Sequence, residues 1–583
     1  MQGLQELRCL HRVSVASSLG IGAEWDQIDQ FNEGSICLAV CADMWRSRFC
    51  RTTQDKSVQT DTLIVGAGHN GLVCACYLAK AGQKVTILER RGIVGGAAVT
   101  EEFHPGFRNS TASYTVSLLH PQIIRDLRLA EHGLKIVLRP QANFFPLSAH
   151  ESLSFYGNLQ ETQAEIARFS QQDAEALPGF YAMLESVAAL VRDMLLKTPP
   201  NVGGSLLDIV RAGQFGLRVK TLSMQQRRQA LAMFTRSASD VLDTWFENDT
   251  VKAAFAFDSV VGNYGAPSTP GSAYVLLHHV FGEVNGVAGA WGHAIGGMGA
   301  ITQCMRTEAE RLGVTVITDA SVAEVLVENT RACGVRLENG PEFRARRVVA
   351  NVGPKLLFEQ LIAAEHLPAE FRQAMRGYKV GSGTLRMNVA LSELPDFSCR
   401  PGTHLQRHHQ SGIIIGPGME YLEQAYMDAR QFGWSRAPIV EVLLPSTVDD
   451  TLAPPGQHVA SLFCQQFAPQ LPNGRNWDDH REEVADLVIA TVNRYAPNFA
   501  SSIIARQIHT PLDLERKFGL TGGDIFHGCL SLDQLWMNRP VMGHANYRTP
   551  IKDLYMCGAG THPGGGVTGI PGHNAAREIL RDS

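Results

Sequence analysis

Apolar residues in this chain gather in short runs punctuated by glycine, and the first regular alternation of elements begins near residue 60. Residues 62–65 read as a strand that runs into Gly66-Ala67-Gly68-His69-Asn70-Gly71. Leu72, Ala75, Cys76 and Ala79 then recur at helical spacing, and residues 84–88 form a second strand ending at Glu89. Between residues 160 and 250 the pattern is mainly helical; Leu231, Phe234, Ala238, Val241, Leu242 and Trp245 fit one amphipathic helix. A helix over 300–312 precedes strands at 314–318, 321–328 and 333–338, with Asn339-Gly340 at the next turn and a further strand at 347–351. Residues 360–540 mix strands and helices. At the end, a strand over 553–557 enters a glycine-rich turn, and Gly569-Ile570-Pro571-Gly572 opens a last helix over 573–580.

The first alternation is a strand–turn–helix–strand unit carrying G-x-G-x-x-G, the pattern of a dinucleotide-binding turn. Gly66 permits the tight turn, Gly68 lets backbone approach a pyrophosphate, and Gly71 lets the helix pack close to the sheet. The helix N-terminus presents N–H groups and a positive dipole end to phosphate. Glu89, eighteen residues after Gly71, is placed to accept hydrogen bonds from an adenosine ribose. Arg90 and Arg91 follow it, but a carboxylate at Glu89 would repel the 2′-phosphate of NADP. Arg90 is counted with the cofactor-binding set.

Six residues beyond Glu89 comes the pair Gly95-Gly96, which resembles the extended fingerprint of FAD-dependent oxidoreductases. The C-terminal segment, Asp553 to Gly566 followed by Gly569-Ile570-Pro571-Gly572, completes the resemblance. Together with GGAAVTEE (95–102), PGSAYVLLHHV (270–280), GGMGA (296–300), DLERKFGLTGGDIFH (513–527) and SLDQLWMNRP (531–540), these segments resemble the phytoene desaturase, carotenoid isomerase and retinol saturase group of flavoproteins. The resemblance runs from about residue 60 to the end. Where many desaturase relatives carry arginine after the glycine pair, this chain has Ala97.

The resemblance implies FAD as cofactor, with Gly95, Gly96, Gly558, Gly560, Gly569 and Ile570 around it and the backbone of Val322 over the adenine. It implies an α/β fold: a Rossmann-like FAD-binding domain and a discontinuous α+β substrate domain with a helical lid region. The expected division is an N-terminal extension at 1–59, FAD-binding segments at 60–150, 286–358 and 545–583, a helical lid at 151–285 and a substrate domain at 359–544. The substrate it implies is hydrophobic or amphipathic, and the reaction desaturation, saturation or isomerisation of a C–C bond.

Composition is that of an ordinary globular chain, with 44% apolar and 19% charged residues. A net charge of −5 argues against general nucleic-acid binding. No uninterrupted run of eighteen apolar residues occurs. The twelve cysteines form no C-x-x-C pair after the first unit, and no H-E-x-x-H or Cys/His cluster marks a metal site. No second G-x-G-x-x-G directly follows an apolar strand as an NADPH site would, since Gly564 to Gly569 lies inside the C-terminal turn, so electrons are expected to leave to oxygen, a quinone or a protein acceptor.

Two segments suggest partners. Seven acidic residues in the first sixty are wrong for a mitochondrial presequence, yet MWRSRFCRTTQ from Met44 is arginine-rich and free of acid. A targeting segment starting at Met44 and a plain tail are both open readings; the resemblance implies the mitochondrial matrix. Residues 209–239 carry Arg211, Arg218, Lys220, Arg227, Arg228 and Arg236 with no acid, interleaved with Phe215, Leu217 and Leu222. That stretch reads either as a peripheral membrane contact or as a solvated face meeting acids elsewhere.

Four side chains are candidates for more than packing. His562 lies within the C-terminal turn, where it faces the flavin ring or caps its loop. His527 follows a glycine pair in a segment resembling the family's substrate side, as a proton-handling or orienting group. These two form the catalytic expectation. Trp291 lines an apolar tunnel or sits in core, and Arg539 fixes the cofactor or substrate wall. Two rival functions share the motifs: an amine oxidase-like enzyme, and a flavin-bearing regulatory or scaffold protein with a mitochondrial protein partner.

Overall fold

The computed structural model describes residues 60–201 and 203–583. The N-terminal extension expected at 1–59, with the segment starting at Met44, lies outside the described residues.

Two sheets organise the chain. The first runs, in order, through Thr315–Ile317, Val85–Leu88, Thr60–Val65, Glu342–Ala350, Arg331–Leu337 and Val322–Glu328, with Leu554–Met556 also paired to Glu342–Ala350. Its strands from Thr315–Ile317 to Glu342–Ala350, together with Leu554–Met556, pair in parallel, whereas Val322–Glu328, Arg331–Leu337 and Glu342–Ala350 form an antiparallel meander. The long strand Glu342–Ala350 serves both parts. Leu63 and Ile64 at the centre are fully buried, as strands covered on both faces require.

Register places the site. Val65 lies opposite both Leu88 and Ala350, so the residues that follow them, Gly66, Glu89 and Asn351, emerge together at the carboxyl edge. Ligands of open α/β sheets bind outside that edge.

The second sheet is built from Ile503–His509, Leu385–Leu391, His458–Phe467, Trp434–Leu443, Gly412–Ile415, Asn143–Pro146 and Ser152–Phe155, in that order. All of its pairings are antiparallel except that between Gly412–Ile415 and Asn143–Pro146. Two expected boundaries therefore move. Residue 150 falls inside the hairpin Asn143–Pro146/Ser152–Phe155, which belongs to the second sheet because its backbone pairs there. Residues 359–378, expected in the substrate domain, bury Leu361, Ile362, Phe371, Met375 and Tyr378 in one cluster with Leu63, Val348 and Met556 of the first sheet.

Helices from Leu159 to His278 cover one side of the second sheet. The longest, Gln171–Leu195, is long and apolar enough to cross a membrane by length and composition, yet half of that window is buried here. Leu177, Phe180 and Ala188 on it are fully enclosed, as in a core helix. The single helix expected through residues 231–245 is two. Met224–Thr235 ends before Arg236, and Ser237 caps Ala238–Leu242 by accepting from Asp240 N at 3.0 Å. A serine N-cap outweighs continued periodicity because it satisfies an amide that the new helix leaves exposed.

Candidate cofactor site

At the carboxyl edge of the parallel sheet lies a cavity of about 430 Å³, within the roughly 300–1,000 Å³ common for small-molecule and cofactor sites. Gly66, Gly68, Glu89, Arg90, Gly95, Gly96, Val322 and His527, all expected from the sequence, line it. So do His69, Asn70, Arg91, Asn351 and Ala559, which were not expected there.

The glycine turn has little tolerance for side chains. Gly66 has φ +96°, a left-handed conformation that favours glycine. A Cβ on Gly71 would stand 2.4 Å from the Gly66 carbonyl oxygen, so the first turn of helix His69–Lys80 meets the strand end directly. Gly71 thus packs behind the cavity rather than lining it. Asn351 Nδ2 donates to the Gly66 oxygen at 3.1 Å and to the Gly68 oxygen at 3.3 Å, holding the turn from the neighbouring strand. The second glycine pair packs on this turn: Gly95 N donates to Ala67 O at 2.9 Å. A Cβ on Gly96 would come 3.3 Å from Gly68 Cα.

Glu89 is 5% exposed and accepts from Ala67 N at 2.8 Å and Arg91 N at 3.0 Å. Its carboxylate is therefore held by the glycine turn and by the chain leading to Gly95. Beside it, the Nη1 of Arg91 and the Nε2 of His69 are buried without a protein hydrogen-bond partner. A glycine cradle at a helix N-terminus, a fixed carboxylate and an uncommitted guanidinium N–H form a donor and acceptor set suited to a dinucleotide diphosphate and its ribose. These residues fit FAD.

His527 adopts a left-handed φ of +57° on the cavity wall. Its position is set by two buried charges. Asp524 accepts from the amides of Gly381, Phe526 and Gly528 at 2.8, 2.8 and 3.1 Å. Arg539 donates to the carbonyls of Phe526 at 2.7 Å and of Ala559 at 2.9 Å. Arg539 therefore ties the histidine's segment to the C-terminal turn, and the wall-fixing role expected for it takes the form of carbonyl clamping. Burial, with Arg539 adding to it, lowers the pKa of His527 to about 4. Burial lowers His69 to about 3, with repulsion between the two rings in their protonated forms adding to it. Both imidazoles are neutral at pH 7.

The C-terminal signatures reach the cavity less directly than expected. Ala559 lines it, while Gly558 and Gly560 pack behind: a Cβ on Gly560 would meet Pro354 Cδ at 2.4 Å. Gly569, with φ +74°, caps helix Ile570–Arg581, and a Cβ there would meet Ile123 and Val73. Ile570 is 1% exposed in the core beside the helical block. Close approach of two helices explains these residues, since a Cβ on Gly572 would lie 2.1 Å from Asn70 O. His562 is not brought to the cavity. Its Nε2 is 3.1 Å from Met194 O and its ring stands edge-on to Trp536 at 4.7 Å, so it fastens the turn to the long helix. Trp291 stacks on His279 at 5.6 Å under the Arg139 guanidinium, a packing position.

Sequence reasoning also passed over a buried polar group on the second sheet. Tyr114 Oη donates to Glu441 at 2.5 Å, and the guanidinium of Arg386 lies 4.4 Å from the Tyr114 ring centre. Burial, reinforced by Glu441, raises the pKa of Asp258 to about 7. These four residues are scattered between positions 114 and 441, and no local motif joins them.

A Rossmann-like sheet, a double glycine turn and a clamped C-terminal segment define an FAD-dependent oxidoreductase of two-part α/β architecture. Residues 71–385 match the flavin containing amine oxidoreductase family, and the chain belongs to it. FAD is the cofactor of that family. The chain is 41% identical over 542 residues to Pyridine nucleotide-disulfide oxidoreductase domain-containing protein 2 of Rattus norvegicus, covering 90% of this chain and 93% of the relative. It is 27% identical over 546 residues to a limonene dehydrogenase chain of Castellaniella defragrans, covering 90% and 95%. Phytoene desaturase (lycopene-forming) of Pantoea ananas is 27% identical over 518 residues, covering 88% and 96%. The phytoene desaturase resemblance thus holds at a distance, inside the broader family.

Proposed function

We propose that this enzyme uses FAD to oxidise, reduce or isomerise a C–C bond of a hydrophobic or amphipathic substrate. The observation that carries the reading is the cavity in which Gly66, Gly68, Glu89, Gly95 and Gly96 converge with His527. Full-length similarity to proteins named for limonene dehydrogenase and phytoene desaturase supports the substrate class. When bound, FAD supplies the hydride or electron transfer, and the protein supplies position, water exclusion and electrostatics.

Each residue's part follows from its geometry. The Gly66–Gly71 turn and the helix N-terminus hold the diphosphate, with Asn351 fixing the turn. Glu89 accepts from the ribose, Arg90 flanks it, and the Val322 backbone covers the adenine. Gly95 and Gly96 let the chain lie flat along the cofactor. Neutral His527 is the group on the wall that can accept a proton at an imidazole nitrogen, and neutral His69 stands beside it.

The reading is tested by an absorption spectrum of purified protein, followed by anaerobic dithionite and then NADPH. A flavin spectrum bleached by dithionite and untouched by NADPH is expected. Peroxide release with amines would instead favour an amine oxidase, the alternative that the family match keeps in view. Bound flavin without turnover on any lipid or amine would favour a regulatory protein with a mitochondrial protein partner.

The same reading assigns the enzyme to the mitochondrial matrix, supported by the family resemblance and the arginine-rich stretch after Met44. Fractionation with protease protection tests it. It also assigns a peripheral membrane contact to residues 209–239. Helix Leu206–Thr221 supports this, exposing Leu206 by 82%, Ile209 by 66% and Leu217 by 65%, with Asp208 its one acid and Arg211, Arg218 and Lys220 its cations. Liposome co-sedimentation that is unchanged when Leu206 and Leu217 become serine would remove the assignment.

A further inference from the structure

The inner face of helix Leu206–Thr221 roofs a second cavity of about 190 Å³, separate from the cofactor cavity. Its walls come from the end of helix Gln171–Leu195, from Trp536 and from the last helix. At roughly 30 Å³ per liquid water, it has room for about six waters.

Five cations line it: Lys197, Arg211, Arg218, Arg577 and Arg581, against one lining acid, Asp193. The acids in reach are already engaged. Asp193 Oδ2 takes Lys197 at 3.0 Å and Arg218 at 3.2 Å. Glu578, packed beneath, accepts from Thr198, Arg211 and Arg581 through one oxygen and from Arg548 through the other. The first oxygen is thereby saturated, and the second already faces the Arg548 guanidinium. Asp208 is taken by Arg211 at 3.2 Å and by the Ser205 cap, and Asp582 by Arg548. Among the described residues, Arg577 has no carboxylate partner. Its Nη2 donates to Thr198 Oγ1 at 3.0 Å, and its Nε is buried with no acceptor.

A second orphan lines the same cavity. Trp536 leaves its indole Nε1 buried without an acceptor, and it holds a left-handed φ of +51° while its ring lies against Phe215 at 5.9 Å. A buried donor with no acceptor costs about 1–3 kcal/mol, and two such donors in one cationic cavity call for an acceptor that carries negative charge.

We propose that this cavity binds the phosphate or carboxylate of an anionic ligand, either a free anion or the head of an amphipathic molecule. Arg577 and Trp536 donate to the anion, and Lys197 and Arg218 neutralise it at the mouth. Trp536 also stands edge-on to His562 in the C-terminal turn, so occupancy bears on the segment beside the cofactor.

The site stands apart from the flavin reading, because flavin retention is scored by absorbance while anion binding is scored by calorimetry. Holoprotein is titrated with inorganic phosphate, with dodecyl phosphate and with dodecanol as the uncharged counterpart. Saturable phosphate binding is expected, weakened at least tenfold in Arg577→Gln and at least threefold in Lys197→Gln. The second variant alters a half-exposed side chain and keeps the test valid if the first misfolds. Dodecyl phosphate binding at least tenfold tighter than phosphate, with dodecanol failing to compete, supports the head-group form; equal affinities support the free anion. Absence of saturable binding by either phosphate, or equal binding in wild type and both variants, overturns the proposal.

Discussion

Asn351 Nδ2 donates to the carbonyl oxygen of Gly66 at 3.1 Å, joining two residues 285 positions apart. The bond exists because Val65 and Ala350 are paired in parallel register, so the next residue of each strand leaves the sheet at the same edge. Together with its bond to Gly68 O, this one amide braces a turn that the Glu89 carboxylate also holds, through Ala67 N.

Asn351→Leu is expected to weaken FAD binding by about tenfold, since two hydrogen bonds of roughly 0.5–1.5 kcal/mol each are lost from the turn. Flavin retained after gel filtration, read by absorbance, measures this. Retention equal to wild type would mean that the glycine turn holds its shape without Asn351.

Gly71→Ala puts a methyl group 2.4 Å from Gly66 O and 2.7 Å from Asn351 Nδ2. Backbone cannot yield as a flexible side chain does, so a loss of about 1–3 kcal/mol is expected, with reduced flavin content. Gly213→Ala is the control. Nothing lies within 4 Å of its Cβ on an exposed helix, and a gain of about 0.4–1 kcal/mol is expected there. Urea midpoints of the two variants should move in opposite directions.

His527 and His562 should part company on replacement by alanine. His527 lines the cofactor cavity, so His527→Ala is expected to lower turnover ten- to a hundredfold while flavin remains bound. His562 binds Met194 O in the core, so His562→Ala is expected to lower the melting temperature and to affect turnover only through lost flavin. Equal turnover losses with full flavin in both would restore His562 to the catalytic set.

Acid should destabilise the fold through its buried histidines. Burial lowers His279 and His562 to about 4, whereas an unfolded chain protonates histidine near 6.5. Each contributes stability that is complete above about pH 6.5 and lost as pH falls towards 4, at about 1.4 kcal/mol per pH unit. Urea unfolding at pH 7.5 and pH 5 measures the slope, and His562→Gln should make it shallower. An unchanged slope would show that this ring is already charged in the folded protein.

The cofactor-binding half was legible because its chemistry is local. Gly66, Gly68, Gly71 and Glu89 lie within 24 residues, and each belongs to a motif set by backbone geometry or by the ribose contact expected of its acid. Asn351 and His69 were open to view and still passed over. The one ends an ordinary strand, and the other occupies a position that the motif leaves free. His562 misled because a histidine inside a cofactor signature reads the same whether its ring faces the cofactor or the core.

By itself the sequence determined the glycine turns, the strand–helix alternation and the family, since steric limits on φ and on close backbone approach act between neighbours. Only the tertiary structure decided which histidine reaches the cavity, where the second sheet begins, and that Arg577 and Trp536 meet across one pocket. Those outcomes depend on pairing and burial among residues from dozens to hundreds of positions apart, which no local pattern encodes.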